Sequence, residues 1–196
     1  MFEKVVTIYT EASPNPNSLK FVANFFLLEN ASKDFPNIES TDNSPLAKEL
    51  FENFPFIQRI FIASNFITIT KDNTADWLEV IPTVKQHIID YLKAEKDIFL
   101  SGIEVEIKKE TKPSTNKNSV IENQIKTLLD EYIRPAVESD GGAITFHSYN
   151  DGIVTVILQG SCSGCPSSTV TLKAGIENLL TRMMPDEVKE VVAMNG

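Results

Sequence analysis

Two cysteines, Cys162 and Cys165, lie three positions apart in the segment GSCSGCPSSTVTLKAG, residues 160–175, and the sequence has no others. Thiolates bind soft metals and iron–sulfur clusters, and two thiols at this spacing can also form a redox disulfide. The chain can therefore make one disulfide, or supply half of a metal site that needs four thiolates.

The segment is predicted to join the end of an apolar strand to a helix that begins at Pro166, because proline suits the first helical position. Cys165 then lies at about the N-cap, where unpaired N–H groups and the helix dipole favour the thiolate. Gly164 can adopt a positive φ, so we expect the loop to turn both sulfurs to one side and leave them open to a partner.

Three chemistries compete for this pair. A thiol–disulfide oxidoreductase of the thioredoxin type has a similar order of strand, C-x-x-C and helix. That fold, however, continues with a strand pair and a helix, and only residues 185–196 follow the predicted helix. A zinc site within one chain needs about four ligands. The two histidines do not supply them, because His147 is predicted on a strand surface and His87 on the polar side of a helix elsewhere in the sequence.

The third chemistry is half of an iron–sulfur site. Four cysteine thiolates typically hold a cluster, and two copies of one loop meeting about a two-fold axis would supply four. A cluster shared in this way near solvent is easily given up, which suits a scaffold or carrier. A structural or adaptor protein whose C-x-x-C does no chemistry also remains open.

The hydrophobic pattern predicts an α+β fold class with two small mixed α/β domains. Residues 108–119, KKETKPSTNKNS, contain no large apolar side chain and predict a flexible linker. The domains are then residues 1–107 and residues 120–196.

The first domain is predicted to hold strands at 5–11 and 19–28, a helix that begins at Ser44-Pro45, a hairpin turning at Ser64-Asn65, and a helix over 76–94. The second is predicted to hold a helix over 120–133, ended by Pro135 and Asp140-Gly141-Gly142, a hairpin turning at Asn150-Asp151-Gly152, a helix over 166–184 and a strand at 188–194. We interpret Asp140-Gly141-Gly142 as a helix stop and turn.

Composition excludes several functions. The net charge is −9, with 18 Lys and Arg against 27 Asp and Glu, which argues against a nucleic-acid binder. No run approaches the roughly 18 apolar residues that span a bilayer, and the first residues do not resemble a signal or transit peptide. We therefore expect a cytoplasmic protein. No phosphate loop, nucleophile triad or catalytic carboxylate pair is found, so we do not expect an enzyme.

The C-terminal half resembles the C-terminal domain of the NifU/Nfu family of iron–sulfur scaffolds and carriers. The resemblance lies in DEYIRPAVESDGG, residues 130–142, followed by DGIVTVILQGSCSGCPSSTVTLKAGIENLL, residues 151–180. The N-terminal half resembles the Nfu N-terminal domain in NPNSLKF, SPLAKELF and NFITITK, which begin at residues 15, 44 and 65. Together these segments extend the resemblance over most of the chain.

The resemblance implies that Cys162 and Cys165 of two protomers hold a [4Fe–4S] cluster, and that this cluster-bridged homodimer transfers it to apo-proteins without catalysis. Apo iron–sulfur clients and upstream assembly proteins are the implied partners, and the N-terminal domain is expected to recognise clients or donors, or to modulate access. A C-x-x-C pair can also hold [2Fe–2S]. The sequence departs from the family at Ala143, where an acidic or polar residue is common, and at Ser161, where alanine is common.

Overall fold

The computed structural model describes residues 5–100, 117–163 and 166–196, and the chain divides into two compact units, Met1–Lys108 and Lys109–Gly196. Both units combine helices with a sheet, so the α+β class is confirmed. Most of the predicted linker lies outside the described residues, and its last residues, from Lys117, already belong to a helix. The domain bounds remain predictions.

The first unit is a five-stranded antiparallel sheet covered on one face by two helices. Its elements are β1 (Ile8–Ala12), β2 (Ser18–Ala23), β3 (Leu28–Phe35), α1 (Pro45–Asn53), β4 (Ile57–Ser64), β5 (Phe66–Lys71) and α2 (Trp77–Lys93), with a 3₁₀ turn at Ile38–Thr41. The strand order is β1-β2-β5-β4-β3. Alternate strand residues such as Ile60, Ile62 and Ile67 pack with Leu50 and Ile88 of the helices, and form the core.

Local sequence signals set several of these boundaries. The Ser44 hydroxyl accepts a hydrogen bond from the Ala47 N–H at 3.3 Å and Pro45 is the first residue of α1, so the predicted helix start is confirmed. The same hydroxyl donates to the Ile98 carbonyl at 2.8 Å, which ties the helix start to the chain after α2. The predicted β4–β5 hairpin turns at Ser64, whose φ is 45°.

The strand predicted over 19–28 is wrong, because the chain breaks it into β2 and β3. At the break, the Asn24 side chain accepts from the Thr7 N–H and donates to the Val5 carbonyl, both at 2.9 Å. These bonds turn the chain out of the strand after Ala23. Strand β3 was not predicted, and it pairs antiparallel with β4 at the edge of the sheet.

Tyr91 near the end of α2 has a pKa well above the usual range of a tyrosine. Its side chain is buried and its hydroxyl donates to the Asp97 carbonyl at 2.6 Å. Burial raises the pKa of Tyr91 from 10.0 to about 12, with further contributions from the charges of Glu49 and Asp97. Because this pKa is higher in the folded than in the unfolded chain, the associated stability is complete below pH 10 and is lost as the pH rises towards 12.

We expect the free energy of unfolding of the first unit to lose about 1 to 2 kcal/mol through Tyr91 over that interval. The variant Tyr91→Phe has no phenol to ionise and should not show this part of the decline. Urea unfolding followed by the fluorescence of Trp77, the single tryptophan, measures it at a series of pH values. An identical pH dependence in both proteins would contradict the assignment.

The second unit has a three-stranded sheet. Its elements are α3 (Lys117–Leu128), a π-helical turn (Leu129–Ile133), α4 (Arg134–Ser139), β6 (Gly142–Asn150), β7 (Ile153–Gly160), α5 (Pro166–Met183) and β8 (Glu190–Asn195). Strand β7 lies in the middle, antiparallel to β6 and parallel to β8. Its buried residues Val154, Val156 and Leu158 pack with α5 through Ile176 and Leu180.

The turn between β6 and β7 follows the prediction. Asp151 and Gly152 both have positive φ, 49° and 92°, as a two-residue hairpin turn requires. The predicted helix end before Pro135 is wrong, because the helical chain continues through α4. The π-helical turn takes the Arg134 N–H to the Leu129 carbonyl, which opens the helix just before a residue that has no N–H to donate.

Candidate functional site

The cysteine loop connects the end of β7 to the start of α5. Strand β7 ends at Gly160, whose φ is 66°, and α5 begins at Pro166 as the sequence predicts. Ser161, Cys162 and Ser163 follow Gly160, and all three are buried. The predictions for Gly164 and Cys165 lie outside the described residues.

Cys162 belongs to the core of the second unit, where it is 5% exposed. Its sulfur lies close to the backbone of Gly142, since a Cβ placed on that glycine would be 2.9 Å from Sγ. The expectation that the loop leaves both sulfurs open is therefore wrong for Cys162. The physical reason is that Gly142 has no side chain, which leaves room for the sulfur beside the first residue of β6.

Ser161 ties the loop to the turn that precedes β6. Its hydroxyl donates to the Asp140 carbonyl at 2.5 Å, and its N–H donates to the Gly141 carbonyl at 3.3 Å. Its Oγ also lies 3.8 Å from the Sγ of Cys162. The departure from alanine at this position thus provides a side-chain hydrogen bond that alanine could not make.

The Asp140-Gly141-Gly142 segment has two roles, of which the sequence indicated one. It ends α4, since the Asp140 N–H donates to the Ala136 carbonyl and Gly141 has a φ of 84°, which confirms the predicted helix stop. Its second role is to accept the two hydrogen bonds of Ser161 and to leave space for the sulfur of Cys162. A hint was present in the sequence, because a helix stop needs only one glycine.

His147 lies on a strand surface as the sequence predicts, whereas His87 is half-buried against the ring of Phe54. His147 is exposed on β6. His87 belongs to α2 of the first unit, where its Nε2 is 3.3 Å from Glu49 Oε1 and its ring meets that of Phe54 edge-on. Within the described ranges, no group of three or more His, Cys, Asp or Glu residues could hold a metal ion. The described chain therefore brings no set of protein ligands around Cys162.

Helix α5 fixes the far side of the loop. Its Ile176 and Leu180 are fully buried in the core of the unit. The carboxylate of Glu177 accepts a hydrogen bond from the Val191 N–H at 2.9 Å, which joins the helix to β8. The loop thus joins two elements that pack in the core of the unit, and its first residue, Ser161, is bonded to the turn before β6.

Two family models match the two units. One, described as "Scaffold protein Nfu/NifU N terminal", matches residues 8–95, and the other, described as "NifU-like domain", matches residues 125–192. The human protein named "NFU1 iron-sulfur cluster scaffold homolog, mitochondrial" is 40% identical over 91% of this chain and 68% of its own length. This chain belongs to the Nfu/NifU family. The cysteine loop lies in its NifU-like domain.

Other Nfu/NifU relatives are equally similar. "NifU-like protein 4, mitochondrial" of Arabidopsis thaliana is 38% identical over 96% of this chain and 66% of its own length. The Drosophila willistoni protein, which has the same name as the human relative, is 38% identical over 95% of this chain and 63% of its own length. The chain thus spans about two thirds of the length of these relatives.

The names of these three relatives place them in mitochondria, so they do not support the predicted cytoplasmic location. Among the described helices of this Nfu/NifU chain, none is long and apolar enough to cross a membrane.

Proposed function

We propose that this protein is an iron–sulfur cluster scaffold and carrier that binds a [4Fe–4S] cluster between two protomers and transfers it to apo-proteins. The observation that carries the proposal is that both cysteines of the sequence lie in one loop of a NifU-like domain. The human relative's name, which includes "iron-sulfur cluster scaffold", supports the role.

Two chains are needed because each supplies two thiolates, Cys162 and Cys165, and a cluster typically takes four. A two-fold axis through the cluster would bring the same loop from both protomers, which is the commonest symmetry of a homodimer. Within the described residues, no cluster of candidate ligands offers a one-chain alternative.

The cluster is cargo in this proposal. Thiolates of a client protein replace Cys162 and Cys165 one at a time, and the bridged dimer separates as its shared ligands are lost. No covalent bond of the polypeptide is made or broken, so the protein acts as a carrier and not as a catalyst. Apo iron–sulfur proteins receive the cluster, and upstream assembly proteins supply its iron and sulfide.

The first unit is proposed to recognise clients or cluster donors. It contains neither cysteine of the sequence, so it offers no thiolate to the cluster. It has a core of its own between the sheet and helices α1 and α2.

Anaerobic reconstitution with iron and sulfide tests the proposal. We expect about two irons and two sulfides per chain and a mass of two chains, since one four-iron cluster bridges two protomers. Mössbauer spectra distinguish this from [2Fe–2S], for which about one iron per chain is expected. A protein that stays colourless and monomeric would contradict the scaffold role.

The thiol–disulfide oxidoreductase remains the alternative for the same pair. Attack on a substrate disulfide requires an accessible thiolate, and the buried Cys162 does not offer one in this structure. We expect iron-free protein to reduce insulin no faster than an equal concentration of a simple thiol. A clearly faster reduction that depends on both cysteines would favour the oxidoreductase.

The predicted cytoplasmic location is also part of the proposal. Fractionation of cells that express the full-length protein tests it, and recovery with mitochondria would agree with the names of the relatives and overturn it.

A further inference from the structure

We propose that Ser161 is a positioning residue which, together with the turn Asp140–Gly142, forms a latch that keeps Cys162 covered when no cluster is bound. The latch opens locally when Cys162 becomes a cluster ligand. The purpose of the latch rests on the proposed function, whereas its existence is a property of the metal-free protein and can be tested without iron.

The need for movement follows from the burial of the sulfur. A cluster shared by two chains takes ligands from both, so each sulfur must reach the surface where the chains meet. Cys162 instead lies in the core of the second unit at 5% exposure, with its sulfur against the backbone of Gly142. Cys162 must therefore leave this position before it can bind a shared cluster.

Among the described residues of the loop, Ser161 makes bonds that resist this movement. It is 2% exposed, and its hydroxyl and N–H donate to two successive carbonyls, those of Asp140 and Gly141. Both carbonyls belong to the turn whose last residue, Gly142, lies against the sulfur. Moving the sulfur away from Gly142 thus requires the adjacent Ser161 to loosen at least part of this attachment.

The pairing of β6 with β7 does not include the loop. The β6–β7 pairing runs from Gly142 opposite Gly160 to Asn150 opposite Ile153, and none of its residue pairs includes Ser161 or Cys162. Breaking the two Ser161 bonds therefore leaves the ladder and the hairpin turn intact. The latch should open with a free energy well below that of global unfolding, as local openings do.

A covered cysteine benefits a carrier that spends part of its time without cargo. Oxidation of cysteine begins at accessible thiolates, and the later steps cannot be reversed by simple thiols. Closing the latch after the cluster leaves protects one of the two ligands during that interval. When the latch opens, the Cys162 sulfur becomes available to the cluster that the two protomers share.

Alkylation of a single thiol tests the latch. The variant Cys165→Ser contains only Cys162, so its reaction with iodoacetamide reports on that residue alone. In iron-free native protein we expect alkylation at least about a hundredfold slower than in the unfolded chain, with a rate that does not change with urea below the unfolding transition. Adding Ser161→Ala should raise the native rate roughly fivefold to tenfold, because one buried hydrogen bond is lost.

Thr181→Ala is the matched control for the lost hydroxyl. The Thr181 hydroxyl donates to the Glu177 carbonyl at 2.7 Å within α5, away from the cysteine loop. In the Cys165→Ser background this change should leave the alkylation rate of Cys162 within about twofold of its starting value.

Two results would overturn the latch. One is a Cys162 alkylation rate that follows the urea dependence of global unfolding, which would mean that no local opening exists. The other is an unchanged rate in Ser161→Ala at an unchanged melting temperature. If Ser161→Ala does not fold, the urea dependence of the Cys162 alkylation rate in Cys165→Ser alone decides whether the latch exists. Because no iron is present, these results are independent of whether reconstitution succeeds.

Discussion

Replacing either cysteine, as Cys162→Ser or Cys165→Ser, is expected to lower the iron bound after reconstitution from about two per chain to less than about a tenth of that amount. A serine hydroxyl does not ionise near neutral pH, so in the proposed dimer each exchange would remove one of two ligands per chain and two of four in all. Within the described residues no neighbouring group of ligands can substitute. Iron and sulfide analysis, with the mass in solution, measures the loss.

His147→Ala is the control for these variants. His147 is the single histidine of the second unit and is exposed on β6. Its imidazole nitrogen could bind iron, so its removal tests whether iron binding depends on the cysteines. It should keep full iron and the mass of two chains. Unchanged circular dichroism must accompany the cysteine variants, and full cluster loading in either of them would show that the ligand assignment is wrong.

Gly142→Ala is expected to lower the free energy of unfolding of the second unit by about 2 to 3 kcal/mol. The added Cβ would lie 2.6 Å from the Gln159 carbonyl oxygen and 2.9 Å from the Sγ of Cys162. The carbonyl belongs to the central strand β7 and cannot move without disturbing the sheet. The sulfur must then leave its place, so the change should also expose Cys162.

Gly175→Ala provides a control of opposite sign. An added Cβ on Gly175 meets nothing within 4 Å, and this glycine lies inside α5. Alanine there should raise stability by about 0.5 to 1 kcal/mol, because glycine is unfavourable in helix interiors.

Urea unfolding followed by circular dichroism measures both glycine variants, while Trp77 fluorescence reports the first unit, whose midpoint should not change. An unaltered dichroism midpoint in Gly142→Ala would contradict the close packing of the sulfur.

The features that the sequence predicted correctly depend on neighbouring residues. Ser44-Pro45 caps and begins α1, Asp151-Gly152 turns the hairpin, and Pro166 begins α5, because each conformation is set by the residue types themselves. The same locality explains the correct placement of α2, whose apolar residues recur at helical spacing. The cysteine pair could also be recognised from the sequence, because Cys162 and Cys165 are only three positions apart.

The features that the sequence did not predict depend on contacts between distant residues. Strand β3, LENASKDF, has few strand-forming residues, and its pairing with β4 determines its conformation. The helical chain continues past Pro135, which has no N–H to donate, because the π-helical turn Leu129–Ile133 widens the helix just before it. The burial of Cys162 depends on Gly142, which lies 20 positions earlier in the sequence and becomes a neighbour only when β6 and β7 pair.

The parallel pairing of β7 with β8 sets an order of events as the chain folds. The β6–β7 hairpin needs only a short turn and can close in microseconds, whereas pairing Ile153 with Glu190 must wait until α5 has formed. At about 5 to 20 residues per second, the ribosome takes seconds to add the residues between the cysteines and β8. Each newly made chain therefore passes through a stage in which the core around Cys162 still lacks Ile176, Leu180 and Val191.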